Sequence, residues 1–404
     1  MEAADAADSV LHGDLLECVL LRLPHDDLTA SPALVSWEWR RAARAAHQQH
    51  RRRRRHLPCL VAHVHGVGVG RSTHVYDPRA RAWASGGWRV VGGVPVRRCA
   101  CAGGDRVYAL SLASMAVSED ALGAAWRELP PPRVWRVDPV VAAVGPHVVV
   151  LGGGCGATAA AGVVEVLDEA VGWTMCPPMP APLASRWVSV AASERRVYAV
   201  ERRTGWASWF DPAARRWGPA RQLQLPGNNT TTTSVASWAA CGVTASGGGD
   251  ADERLLVLAG GDGGIVSLWF MDGDTLLPDG ETNASMLPPE MSEKLALHTT
   301  GGGNIAVAAA GAASGYVYNA SEPGKGAARY ELVAAGVGGG GHDRDSSSSS
   351  KNGCHGKTST WGRRGSSSRW EWLPCPPAAA AAMTSSAVVV FACSGSSSDS
   401  APNK

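Results

Sequence analysis

Tryptophan returns along this chain at a pitch of about 45 residues, at Trp83, Trp126, Trp173 and Trp217, and each closes a unit that reads the same way. The clearest unit spans 146–180, PHVVVLGGGCGATAAAGVVEVLDEAVGWTMCPPMP. Val148–Leu151 is a short apolar run stopped by Gly152-Gly153-Gly154, and Val163–Leu167 is a second run ending in Asp168. A Gly172-Trp173 turn and a proline-rich exit follow. Runs of four or five β-branched residues bounded by glycine predict strands. Glycine pairs after a strand suit a backbone turn that a Cβ would obstruct.

The unit recurs. His74–Pro78 leads to Trp83, and Gly103-Gly104-Asp105 precedes Val107–Leu110, with Trp126 running into Leu129-Pro130-Pro131-Pro132. Val197–Val200 and Trp209-Phe210-Asp211-Pro212 lead to Trp217. A fifth unit holds Leu255–Leu258, Gly260-Gly261 and Ile265–Asp272, with Met286-Leu287-Pro288-Pro289 in the tryptophan's place. A sixth holds Ile305–Ala309, Gly315–Asn319 and Trp370–Pro374. From Leu57 onward helical periodicity disappears. A last apolar run, 387–392, has no unit of its own, and pairing with 60–83 would close a ring. Four short strands per unit at this pitch predict an all-β, six-bladed β-propeller. The chain has 16 Trp against 3 Phe and 6 Tyr, so the indoles have a repeated task, expected to be filling the wedge between blades. One buried indole contributes roughly 4–6 kcal/mol before entropy, at ~25 cal/mol per Å² over ~150–250 Å². The glycine pair, the Tyr-Asp-Pro turn and the late tryptophan resemble kelch repeats.

The front is different. Asp14 and Glu17 form a capping box for a helix through Leu23, ended by Pro24, and Ser31-Pro32 starts another carrying Leu34, Val35, Trp37 and Trp39. A segment this short cannot bury so many apolar groups alone. The pattern L-x-x-D-L-L-x-x-V-L-x-R-L-P-x-x-D-L…V-S-x-x-W-R, from Leu11 to Arg40, resembles the F-box, a small all-α three-helix domain. The resemblance implies docking on a Skp1-like adaptor of a cullin-RING ubiquitin ligase through Leu11, Leu16, Val19, Leu20, Leu23, Pro24, Leu28, Val35 and Trp39. His12 and Pro32 depart from the family pattern. The expected division is an F-box at 9–48, a basic linker at 49–56 containing Arg51–Arg55, and the propeller at 57–394. A Gly/Ser-rich insert at 336–369, and the ends 1–8 and 395–404, are expected to be disordered.

Net charge is +2, which argues against broad electrostatic capture of nucleic acid or membrane. No apolar run approaches the ~20 residues of a membrane helix. The ten cysteines form no disulfide framework, so a cytosolic or nuclear location is expected, with the sequons at Asn228, Asn229, Asn283 and Asn319 silent. The Gly66–Ser72 stretch lacks a Walker lysine and reads as a hairpin turn. Cys59, His63 and His65 lack the companions a metal site needs. No G-x-S-x-G or carboxylate pair stands out, and Asp77, Asp168 and Asp211 fit turns. No cofactor or metal is expected, and the chain reads as non-catalytic.

Together these features resemble F-box/kelch substrate receptors, a class expanded in plants, some of which act on enzymes of phenylpropanoid and flavonoid synthesis. The resemblance implies that loops leading into each blade's first strand hold a target protein. The matching positions are Arg97, Arg136, Arg186 and Trp187, with Arg133, Trp135 and Trp238 nearby. Arg and Trp are favoured interface anchors, so a partly basic, aromatic face for an acidic or phosphorylated target is expected. The alternative is that these arginines brace neighbouring blades.

Overall fold

A computed structural model describes residue 39 and residues 58–65, 71–86, 94–123, 125–153, 162–168, 170–185, 187–226, 235–245, 253–261, 264–280, 283–295, 305–333, 367–376 and 388–394. The chain divides into two units, Met1–Leu57 with Ser396–Lys404, and Pro58–Gly395. Of the first, Trp39 alone is described; it is helical and half-buried.

The second unit is nearly all β. Blade 2 consists of β4 (Val96–Cys101), β5 (Arg106–Leu110), β6 (Met115–Ser118) and β7 (Trp126–Leu129). Blade 3 consists of β8 (Val140–Val144), β9 (His147–Leu151), β10 (Val164–Asp168) and β11 (Gly172–Cys176). Blade 4 has β12 (Val188–Ala192), β13 (Val197–Glu201), β14 (Trp206–Asp211) and β15 (Arg216–Trp217), with β16 (Arg221–Gln222) also on β14. Blade 5 has β17 (Val235–Ala245), β18 (Glu253–Gly261), β19 (Val266–Asp272) and β20 (Ser285–Met286). Blade 6 has β21 (Ile305–Ala310), β22 (Ser314–Asn319), β23 (Ala327–Val333) and β24 (Ser367–Leu373).

Blade 1 is completed from both ends of the unit. Its order is β25 (Val388–Cys393), β1 (Leu60–His65), β2 (Ser72–Asp77) and β3 (Ala82–Gly86), with Leu60 opposite Cys393 and His65 opposite Val388. The first strands touch in the closed order β25–β4–β8–β12–β17–β21–β25. Six antiparallel four-stranded units around such a ring are consistent with a β-propeller. β4 and β8 also pair in parallel, Cys99 opposite Val141, joining blades 2 and 3 into one sheet.

Burial explains the sequence pattern. First and second strands are packed on both faces, so β12, VSVAA, and β13, VYAVE, are buried throughout. Outermost strands have a wet side, and β11, GWTMC, buries only its tryptophan. The expected interblade role of the indoles takes a specific form. Trp173 Nε1 donates to Pro130 O at 2.8 Å, Trp217 Nε1 to Pro177 O at 3.1 Å, and Trp83 Nε1 to Pro374 O at 2.8 Å. Each indole thus reaches back to the proline-rich exit of the preceding blade. Trp370 does the same with Ser285 Oγ at 2.8 Å. In blade 5 Met286 is exposed and Leu287 is buried instead. The aspartates sit in turns as expected, with Asp77, Asp168 and Asp211 carboxylates accepting the backbone N–H groups of Arg79, Ala170 and Ala214.

One expectation is corrected: helix does occur after residue 57. Among the described residues Pro289–Lys294 is a short α-helix, with proline at its start, Glu290 in its first turn and Lys294 in its last. Six residues are too few to show a helical period.

Candidate protein-binding face

Strand polarity sets which loops share a side. First strands run away from one face and second strands return to it. The segments leading into first strands and the turns leaving second strands therefore lie together. Ten large hydrophobic residues are exposed among the described residues, and six of them, Leu112, Trp135, Val137, Trp187, Ile265 and Val388, are on this face. Of these six, Trp135, Val137 and Trp187 are on the segments leading into blades 3 and 4.

Between the segments leading into blades 3 and 4 is a cleft of about 500 Å³, lined by Val137, Asp138, Gly153, Met179, Ser185 and Trp187 among others. Both segments are fastened by buried glutamates. In blade 3, Glu165 on β10 accepts the backbone N–H groups of Arg133 and Val134 and pairs with Arg136 Nη2 at 2.7 Å. Arg136 Nη1 donates to Gly152 O and Val163 O at 2.9 and 2.7 Å. Burial pushes the Arg136 guanidinium below its ordinary pKa, and Glu165 opposes that shift. In blade 4, Glu201 at the end of β13 accepts the Ser185 and Thr204 hydroxyls and the N–H groups of Arg203 and Thr204. Ser185 Oγ in turn accepts the Trp187 N–H at 3.0 Å, so Glu201 fixes the stem that presents Trp187. Burial raises the Glu201 pKa, but these donors outweigh it and leave the carboxyl below its usual range.

The cleft's upper lip is a strained backbone. Asp138 has φ 53°, and its carboxylate meets Arg97 Nε at 2.6 Å. Val137 N donates to Gly153 O at 2.6 Å. Gly153 has φ +74°, and a Cβ there would lie 2.6 Å from Pro139 Cα, so only glycine fits this close approach. The strain at Asp138 is held by what surrounds it and aims the carboxylate outward.

The residues predicted to face a target separate into groups. Arg133, Trp135 and Trp187 are exposed on the face, and Arg97 is half-buried at its edge in the pair with Asp138. Arg136 is corrected. At 1% exposure it is a brace inside blade 3, because its guanidinium is consumed by Glu165 and two carbonyls. Trp238 is corrected too, since it is 4% exposed and packs over Gly205, where a Cβ would stand 2.5 Å from its Nε1. Arg186 lies outside the described residues, as do Leu11, Leu16, Val19, Leu20, Leu23, Pro24, Leu28 and Val35. Val137, Asp138, Leu112 and Ile265 were missed. The signal for Val137 was present in PPPRVWRVDP, where apolar residues stand between prolines in a stretch that cannot be a strand interior.

The histidines considered as ligands have other roles. His63 Nδ1 meets Thr73 Oγ1 at 3.0 Å and Nε2 meets Ala121 O at 2.8 Å. His65 is buried, and that burial pushes its pKa down to about 4. Burial pushes the Cys59 thiol up. Among the described residues no group of three or more His, Cys, Asp or Glu is placed to hold a metal ion.

The chain is similar to an F-box/kelch-repeat protein of Arabidopsis thaliana, with 34% identity over 224 residues, covering 52% of this chain and 55% of that protein. The chain thus spans about half the length of the curated relative it matches. No family model matches. Among solved structures, SapL1 lectin in complex with alpha methyl fucoside aligns over 65% of this chain and 85% of its own, at 14% identity and a TM-score of 0.34. A likeness that low carries no argument about fold or ligand.

Proposed function

We propose that the chain is a non-catalytic substrate receptor of a Skp1-cullin-F-box ubiquitin ligase, with its front helices on the Skp1-like adaptor and a six-bladed kelch-type propeller holding a target protein. The observation that carries target capture is the meeting of exposed Val137 and Trp187 at one cleft, with exposed Trp135 two residues before Val137, on segments fastened by Glu165 and Glu201. Rigid aromatic anchors on a pre-organised frame are what a protein interface uses. Support for the adaptor half comes from the Leu11–Arg40 pattern and from the relative's F-box name. The mechanism is proximity: a target held beside the charged ubiquitin carrier reacts at high effective concentration. Exposed Arg133 beside Trp135 keeps an acidic or phosphorylated target as the favoured class.

Two sets of substitutions in the full chain test the two halves. Leu20→Asp with Leu23→Asp should abolish co-purification of Skp1 and leave the target bound. Trp187→Ala with Val137→Asp should do the reverse. A parent chain that does not co-purify Skp1 would leave a scaffold propeller without ligase attachment, Skp1 retained by the first variant would remove Leu20 and Leu23 from the adaptor contact, and an unchanged set of captured proteins in the second would remove the cleft from target binding.

A further inference from the structure

The opposite face carries a second cavity, between blades 2 and 3. It measures about 540 Å³ and is lined by Arg106, Val117, Glu119, Arg127, Ala143 and His147 among others. These positions share one end of the wheel: β5 and β9 begin there, β6 and β8 end there, and β7 starts there. Register explains why the cations converge. Tyr108 pairs with Val117 and Val117 with Arg127, so these side chains share the side of blade 2 facing blade 3. Arg106, two residues before Tyr108, joins the same row. Val117, Ala143 and Val148 supply an apolar floor.

Half-buried Arg98 and Arg196 have carboxylates, Asp105 and Asp274, and buried Arg329 has Glu371. Arg106 is half-buried and lines the cavity, yet among the described residues its side chain makes no ion pair or hydrogen bond. Glu119 at the mouth offsets one of the two guanidinium charges, and Asp168, 3.7 Å from His147 Nδ1, faces the histidine. The two carboxylates match the two guanidiniums in number, so the attraction rests on the fork of Arg106 rather than on net charge. A guanidinium over an apolar floor is matched by an oxyanion with a small apolar body, and the volume is in the range of small-ligand sites.

We infer that this wedge between blades 2 and 3 is a binding site for an organic oxyanion, a phosphate monoester or a carboxylate, with Arg106 as its principal contact. The site is on the face away from the cleft, so it stands or falls independently of target capture.

The test is titration of the full chain by calorimetry with phenyl phosphate, benzoate and inorganic phosphate at constant ionic strength. Phenyl phosphate or benzoate should bind in a 1:1 ratio, and Arg106→Gln should weaken the binding at least tenfold. Arg106→Lys, which keeps the charge and loses the fork, should weaken it less. A stronger response to phenyl phosphate than to benzoate identifies the phosphate ester; the reverse identifies the carboxylate. Binding that is absent for both organic anions, or unchanged by Arg106→Gln in a variant whose circular dichroism matches the parent, overturns the inference. Inorganic phosphate binding as tightly as phenyl phosphate would also overturn it, because the apolar floor would then have no part.

Discussion

Arginine side chains that look equivalent in a string of letters have opposite positions here. Arg133 is exposed and Arg136, three residues on, is fully buried against Glu165. Removing one partner of a buried pair strands the other charge and costs about 3–5 kcal/mol, whereas surface changes stay within about 0.5 kcal/mol. Arg136→Ala is therefore expected to lower unfolding free energy by about 3–5 kcal/mol and Arg133→Ala by almost nothing, read from urea midpoints. Glu201 gives a pH signature. Its folded pKa is below the ordinary value of 4.5, so its stabilisation is present above about 4.5 and is lost as pH falls through the folded value. Glu201→Gln should be less stable than the parent near pH 7, with the gap closing on acidification below about pH 4.5. A gap of constant size across that range would show that the carboxylate charge does not contribute.

At the scale of the strand and blade, the tryptophan and the proline-rich exit are two halves of one joint. In blades 1, 3 and 4 the indole of the outer strand caps a carbonyl at the end of the previous blade, as Trp173 does with Pro130. Tyrosines on second strands point forward instead: Tyr108 Oη donates to Pro139 O and Tyr316 Oη to Pro58 O, each on the chain leading into the next blade. Blades 2 and 3, and blades 6 and 1, are thus tied both ways. Trp173→Phe keeps most of the apolar contact and loses the N–H, so a cost of about 1 kcal/mol is expected. Trp173→Ala also leaves a cavity and should cost about 3–5 kcal/mol. Denaturant unfolding of both variants measures the split, and equal losses would mean that the hydrogen bond alone holds the joint.

For the whole wheel, what could be read from the sequence was whatever repeats. Trp83, Trp126, Trp173 and Trp217 all fall on outermost strands, and the apolar run after 387 is the strand that completes blade 1. The repeat marks strands because buried positions on both faces need runs such as VVAAV and HVVVL. It does not mark which arginine is buried, since that depends on a carboxylate 29 residues away, as Glu165 is to Arg136. Trp238 misled for the same reason: only Gly205, brought alongside by β13 and β14, makes room for it. The cleft was half legible, its aromatics from position relative to the blades and its Asp138 lip not at all. The short helix was hidden by its length.

Blade 1 takes β1 to β3 from the front of this unit and β25 from its end, and Asp105 of blade 2 fastens β25 by exchanging backbone and carboxylate bonds with Cys393. On a ribosome adding about 5–20 residues per second, the edge of β1 must then stay unmated for roughly 20–70 s while the intervening blades emerge. During that interval it offers nascent neighbours an open template for sheet extension. A chaperone shielding residues 60–65 would matter most while the protein is still being made.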